Sequence, residues 1–165
     1  MRREGASQLE DREAGLIAEL YPPLRAFASV VAPAEEDPND LVQEALVRTL
    51  RGGPLSRLEY PKAYLRTTIY HLAVSARRHW VAQRQALQRV EVDMDPPEYT
   101  WQVDELLALS PKARAVLYLR VVEEMPHGEI ARLLGCSEAT VRKTASRAKR
   151  QLRRLLAEEV NDATA

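Results

Sequence analysis

The chain of 165 residues carries 24 Lys and Arg against 24 Asp and Glu, a formal net charge of +0, with 45% hydrophobic but only 5% aromatic residues. That balance suits helical domains with small aliphatic cores, and a single cysteine, Cys136, excludes an internal disulfide framework and leaves zinc short of ligands. No apolar run reaches the roughly 18 residues of a membrane span, and the charged N-terminus is unlike a signal peptide, so a cytoplasmic protein without membrane insertion is expected.

A first helix is predicted over Ala14 to Val31, with Leu16, Leu20, Leu24, Phe27 and Val31 on one face. Pro22 and Pro23 lack amide donors and are expected to bend it or divide it in two. After an acidic, proline-containing loop, Asn39 is placed to cap a second helix from Asp40 to Leu50, with Leu41, Ala45, Leu46 and Leu50 facing inward. Gly52-Gly53-Pro54 ends it. Pro61 opens a long third helix from Lys62 to about Arg89, with Leu65, Ile69, Leu72, Ala73 and Ala76 inside. Arg66, Thr67, Tyr70, His71, Arg77 and Arg78 are left towards solvent or a partner. Val90 to Pro97 reads as a linker, Tyr99 to Leu109 starts a second domain, and Ser110-Pro111 caps the helix that follows. The pair Glu123-Glu124 reads as solvated helix surface.

Beyond Pro126 the pattern is that of a helix-turn-helix. Ile130, Leu133 and Leu134 bury one face of a short helix, Gly135 supplies the corner with positive φ, and Ser137 caps the next helix. There Val141, Ala145, Ala148, Leu152 and Leu155 form an apolar stripe, while Arg142, Lys143, Arg147, Lys149 and Arg150 lie outside it. The neutral net charge conceals segregation. Acids outnumber bases two to one over Met1–Leu50; Arg51–Val90 has one acid, Glu59, among many bases; Glu91–Leu109 has acids only; and Ser110–Ala157 is basic again. Two basic blocks separated by acidic ones predict two polyanion contacts on one all-α chain.

Chemistry of other kinds has little support. His71, His79 and His127 are far apart and lack carboxylates at ligand spacing, and there is no Gly-rich phosphate loop, nucleophile elbow or paired-carboxylate site. No enzyme is read. Cys136, at a small turn position, reads as packing.

Three segments carry a resemblance: Asp40-Leu41-Val42-Gln43-Glu44 with Arg48-Thr49-Leu50; Ala63-Tyr64-Leu65-Arg66-Thr67-Thr68 with Ser75, Arg77 and Arg78; and Leu109-Ser110-Pro111-Lys112-Ala113-Arg114 followed by the helix-turn-helix. In this order the chain resembles the extracytoplasmic-function sigma factors of bacterial RNA polymerase, with an actinobacterial flavour. The resemblance covers nearly everything from Leu16 to Leu156. It implies two small helical domains on a flexible acidic linker: residues 10–90 for core polymerase binding and −10 recognition and melting, 91–104 as linker, and 105–157 as the −35 reader.

The resemblance also assigns roles. Asp40, Gln43, Glu44 and Arg48 become the ridge that docks on the clamp helices of the polymerase's largest subunit, the plain alternative being an ordinary solvated helix face. Tyr64, Arg66, Thr67, Tyr70, His71, Arg77 and Arg78 become −10 contacts, with Arg84 for the backbone and Trp80 and the Arg51–Tyr60 loop as further surfaces for an unstacked base. For Tyr64 the plain alternative is a half-buried core aromatic. His71 and Ser75 depart from the family's commonest Asn and Asp. Ser137, Glu138, Ala139, Thr140, Arg142, Lys143, Ser146, Arg147 and Arg150 become −35 contacts, the last two on the backbone. Partners implied are core polymerase, through its clamp helices and flap, promoter DNA and an anti-sigma factor. No cofactor is implied, and the acidic linker would mimic nucleic acid in the RNA-exit path. An autonomous helix-turn-helix regulator and a polymerase-binding decoy or antagonist are the competing readings.

Overall fold

The structure, a computed structural model, describes residues 2–87 and 104–162, all helices, turns and loops. The acidic linker expected at 91–104 lies outside the described residues up to 103. Helix α1 (Arg2–Val31) begins earlier than its apolar stripe and runs through Pro22 and Pro23 without dividing. Leu20 and Leu24 are buried on either side of the prolines, and with Phe27, Ala28 and Val31 they hold the helix to the core where its amide donors are missing.

Helix α2 (Pro38–Gly52) starts two residues before the sequence reading placed it. Its cap is Asp37, whose carboxylate accepts the Asn39 amide at 2.7 Å, because Pro38 takes the first helical position, where no N–H is lost. Asn39 instead uses its side-chain oxygen to receive the Tyr21 hydroxyl at 3.1 Å and Arg25 Nε at 2.9 Å, tying α2 to α1. Leu41, Val42, Ala45, Leu46 and Thr49 are buried, and the Thr49 hydroxyl donates back to the Ala45 carbonyl. Leu50 lies one step past this stripe and is exposed, correcting its inward assignment.

Gly53, at φ 137°, ends α2 in a conformation open to glycine. A 3₁₀ turn (Leu55–Arg57) follows, anchored by the fully buried Leu55. Glu13 of α1 accepts the amides of Leu55 at 2.8 Å and Ser56 at 2.9 Å; bonding from Ser56 first of all holds its carboxyl below the usual carboxylate range. Helix α3 (Pro61–Leu87) then crosses α1 and α2 with Leu65, Ile69 and Ala73 fully buried.

The second module comprises α4 (Asp104–Leu107), α5 (Pro111–Val121), α6 (His127–Leu134) and α7 (Glu138–Asp162). Ser110 caps α5 by accepting the Ala113 amide, as its sequence predicts. Rather than standing apart from the first module, α5 packs on α1 and α3, and α6 on α3. One apolar cluster runs from Leu24, Phe27, Val31 and Ile69 through Val116 and Leu119 to Ile130 and Val141. The two small helical modules expected from the sequence are both present, and they share one core. Its apolar faces are small, and joining them removes more of each from water.

Candidate nucleic-acid interface

The helix-turn-helix is built as its residues dictate. Gly135 adopts the left-handed conformation at φ 63° and ψ 42°, donating to Arg132, while the Cys136 amide reaches back to the Ala131 carbonyl at 2.9 Å. These two bonds satisfy the last carbonyls of α6. Ser137 Oγ accepts the Thr140 amide at 3.1 Å and lies 2.8 Å from the Thr140 hydroxyl, so both hydroxyls are spent on starting α7. Ser137→Ala is expected to lower stability by about 1 kcal/mol, read by chemical denaturation.

Along α7, Val141, Ala145 and Ala148 are buried, which turns Ala139, Arg142, Lys143, Ser146, Arg147, Lys149 and Arg150 to solvent. Glu138 is also exposed and holds Arg142 Nη2 at 2.8 Å across one helical turn. The result is a cationic front with one acid at its N-terminal end, wide open on the molecule's surface.

On α2, Asp40, Gln43, Glu44 and Arg48 are all exposed, with Glu44 and Arg48 paired one turn apart. Asp40, Gln43 and Glu44 border a groove between α2 and α3 that also takes in Val47, Leu72 and His79. The exposed Val47 adds an apolar contact to an acidic ridge.

The α3 set divides. Tyr64 is 51% exposed, half-buried at the edge of the core; its side chain lies with that of Tyr60 along a groove bounded by α6. His71, Ser75 and Arg78 are exposed. Arg77 is partly covered and reaches the Leu109 carbonyl at 3.4 Å. Trp80 donates its indole N–H to Glu36, and Arg84 pairs with Glu35, so the loop before α2 holds both. Arg66 and Tyr70, expected outward, are 3% and 7% exposed. The reason is the second module. Arg66 Nη2 donates to Glu123 Oε1, its guanidinium carbon lies 5.8 Å from the Phe27 ring centroid, and Thr67 donates to the Leu133 carbonyl at 3.0 Å. Burial raises the Tyr70 hydroxyl's pKa, with the neighbouring Cys136 adding to the effect.

Sequence reasoning missed two residues at this seam. Glu123, read as solvated helix surface, lies beyond the end of α5 and faces both Arg66 and Lys62. Arg114, 3% exposed, donates to the Ala32 carbonyl at 2.8 Å and the Val31 carbonyl at 3.2 Å, closing the C-terminal end of α1. Both contacts span more than 50 residues of sequence, so no local spacing announces them. Among the described residues no group of three or more His, Cys, Asp or Glu is placed to hold a metal, and no helix is long and apolar enough to cross a membrane.

Comparisons with known proteins agree with one another. Residues 16–85 match the family described as sigma-70 region 2, and residues 103–152 match sigma-70, region 4. The RNA polymerase sigma-E factor of Streptomyces avermitilis is 33% identical over 146 residues, 82% of this chain and 79% of that protein. The sigma-E factor of Streptomyces coelicolor is likewise 33% identical over 147 residues, 82% of this chain and 80% of that protein. Among solved structures, the fold is similar to the sigma factor RpoE in its complex with the anti-sigma factor NepR from Bartonella quintana. That likeness has a TM-score of 0.66 at 23% identity and covers 87% of this chain and 96% of the other.

Proposed function

Since this chain belongs to the sigma-70 family, in its extracytoplasmic-function group, and directs promoter-specific initiation by RNA polymerase, we propose how its surfaces share that task. Helix α2 grips the clamp helices of the polymerase's largest subunit through Asp40, Gln43, Glu44 and Arg48. Helix α3 and the turn before it capture the separated −10 strand with Tyr64, Arg66, Thr67, Tyr70, His71, Arg77 and Arg78. Helix α7 enters the −35 major groove. The modules correspond to residues 10–90 and 105–157.

The observation that carries this reading is the simultaneous exposure of the α2 ridge and the α7 front, on two different helices of one chain. A polymerase and a duplex can be held at once only by such an arrangement. On α7, Arg142 and Lys143 are the groups long enough to reach base edges, Glu138 and Ala139 lie beside them, and Arg147 and Arg150 hold phosphates further along. Ser137, Thr140 and Ser146 contribute hydroxyls at the helix start and front, the first two through the cap that aims the helix. The chain brings no catalytic group and no cofactor, since the nucleotide chemistry is the polymerase's own, and it works in the cytoplasm. The flap is the second polymerase contact, and the complexed structural neighbour supports an anti-sigma factor as a further partner.

Run-off transcription with purified core polymerase on genomic promoter fragments tests the reading. New start sites that depend on the chain are expected. Tight duplex binding without association to core polymerase at low salt would identify an autonomous regulator instead, and core binding without new starts a decoy. Arg142→Ala is expected to cost roughly 1–3 kcal/mol of discrimination at one promoter position. Binding to a panel of single-base −35 variants checks it; an equal loss on every sequence would mark a phosphate contact.

A further inference from the structure

We propose that the C-terminal module is itself a ligand of the −10 face, with the Glu123 carboxylate standing on α3 where a DNA phosphate would stand. The inference rests on the assignment of Arg66, Thr67 and Tyr70 to the −10 strand. These three share one side of α3, and each is covered by the second module. Glu123 Oε1 receives Arg66, and Oε2 lies 3.9 Å from Lys62 Nζ. Two oxygens of one anion thus meet two cations one helical turn apart, the same service a backbone phosphate would perform. Thr67 donates to the Leu133 carbonyl, and Tyr70 is covered beside Cys136.

Two further features bear on how firmly this dock holds. Glu124 has φ 52°, a left-handed conformation uncommon for a residue with a side chain, and the Met125 amide closes the turn onto the Leu119 carbonyl at 2.9 Å. That turn carries Glu123 back towards α3. Buried Nε atoms of both Arg66 and Arg114 have no hydrogen-bond partner. An interface that desolvates two guanidinium groups and leaves a donor of each unmet gains less than its apolar area implies. It is suited to opening when a polyanion offers Arg66 a second acceptor. Asp40, Gln43, Glu44 and Arg48 and the α7 front stay exposed in this arrangement. The dock therefore withholds Arg66, Thr67 and Tyr70 of the −10 set, leaving polymerase and −35 duplex free to bind first.

The test uses the full chain in a Cys136→Ser background with spin labels at Arg57→Cys and Val121→Cys, both exposed positions on opposite sides of the seam. Distances between labels and affinity for a random-sequence single-stranded DNA pool are measured together. Glu123→Gln is expected to lengthen the distances and tighten single-strand binding roughly tenfold, and adding Arg66→Gln should abolish the gain. Glu123→Lys, which reverses the charge, should open the seam further. Unchanged distances in both Glu123 variants would overturn the latch. Longer distances with no gain for single strands would overturn the masking, and with it the assignment of Arg66 to the −10 strand.

Discussion

Phe27→Ala should lower the unfolding free energy by about 3–5 kcal/mol and the melting temperature by roughly 10 °C. Phe27 is fully buried and, among the described residues, is the largest side chain so enclosed. Its ring meets Tyr118 of α5 at 5.8 Å between centroids, tilted by 59°, and lies under the Arg66 guanidinium. Removing it opens a cavity where α1, α3 and α5 meet, and takes away contacts on both sides of the seam. Because the apolar cluster is shared, the two modules should lose stability together. Calorimetry would show a single transition moved down; a transition split into one shifted and one unshifted component would show that the modules melt independently. Phe27→Leu keeps most of the volume and should cost less than half as much.

Arg114→Ala carries the next largest expected effect, about 2–4 kcal/mol. At neutral pH this guanidinium is charged at a site that resists charge: burial first, and then the neighbouring Arg77, pull its pKa down to about 10. A base whose folded pKa lies below its unfolded value opposes folding at every pH below the folded value, and that opposition fades only as the pH rises through about 10. Two hydrogen bonds to the Val31 and Ala32 carbonyls, at the negative end of α1, offset it. Truncation to Ala leaves both carbonyls unpaired in the seam and a void beside them. Arg114→Met fills the void and removes the desolvated charge, so it should cost clearly less than Arg114→Ala. Urea titrations of the two variants make the comparison. Equal losses would mean that the carbonyl bonds, rather than charge and packing, carry the whole contribution.

The seam gives these two predictions a functional side. Phe27 supports Arg66 from beneath, and Arg114 fixes the end of α1 against α5. Both changes should therefore loosen the dock that covers the −10 face as well as the fold. Glu123→Gln, by contrast, acts on the dock while leaving the apolar cluster untouched. Comparing the three separates the energetics of folding from those of opening.

What the residues determined by themselves were the helices and their punctuation. Ser110, Ser137 and Gly135 act where their local chemistry requires, because a cap or a left-handed corner is settled within a few residues. The apolar stripes of α1, α3 and α7 follow helical periodicity, which is also local. Small shifts came from competing local signals: Pro38 at the first helical position moved the cap from Asn39 to Asp37. The α2 ridge and the cationic α7 front were legible too, since there the face opposite the buried stripe stays exposed.

Only the tertiary structure decided which of the remaining polar residues face solvent. Arg66 and Tyr70 looked available from α3 alone, and Glu123 looked like solvated surface. Docking of the second module reversed all three assignments, because its carboxylate and carbonyls reach α3 from more than 50 residues away. Periodicity records which side of a helix avoids water. It cannot record whether a second body will also cover the polar side, since that depends on the sum of small apolar gains and desolvation costs over residues far apart in sequence.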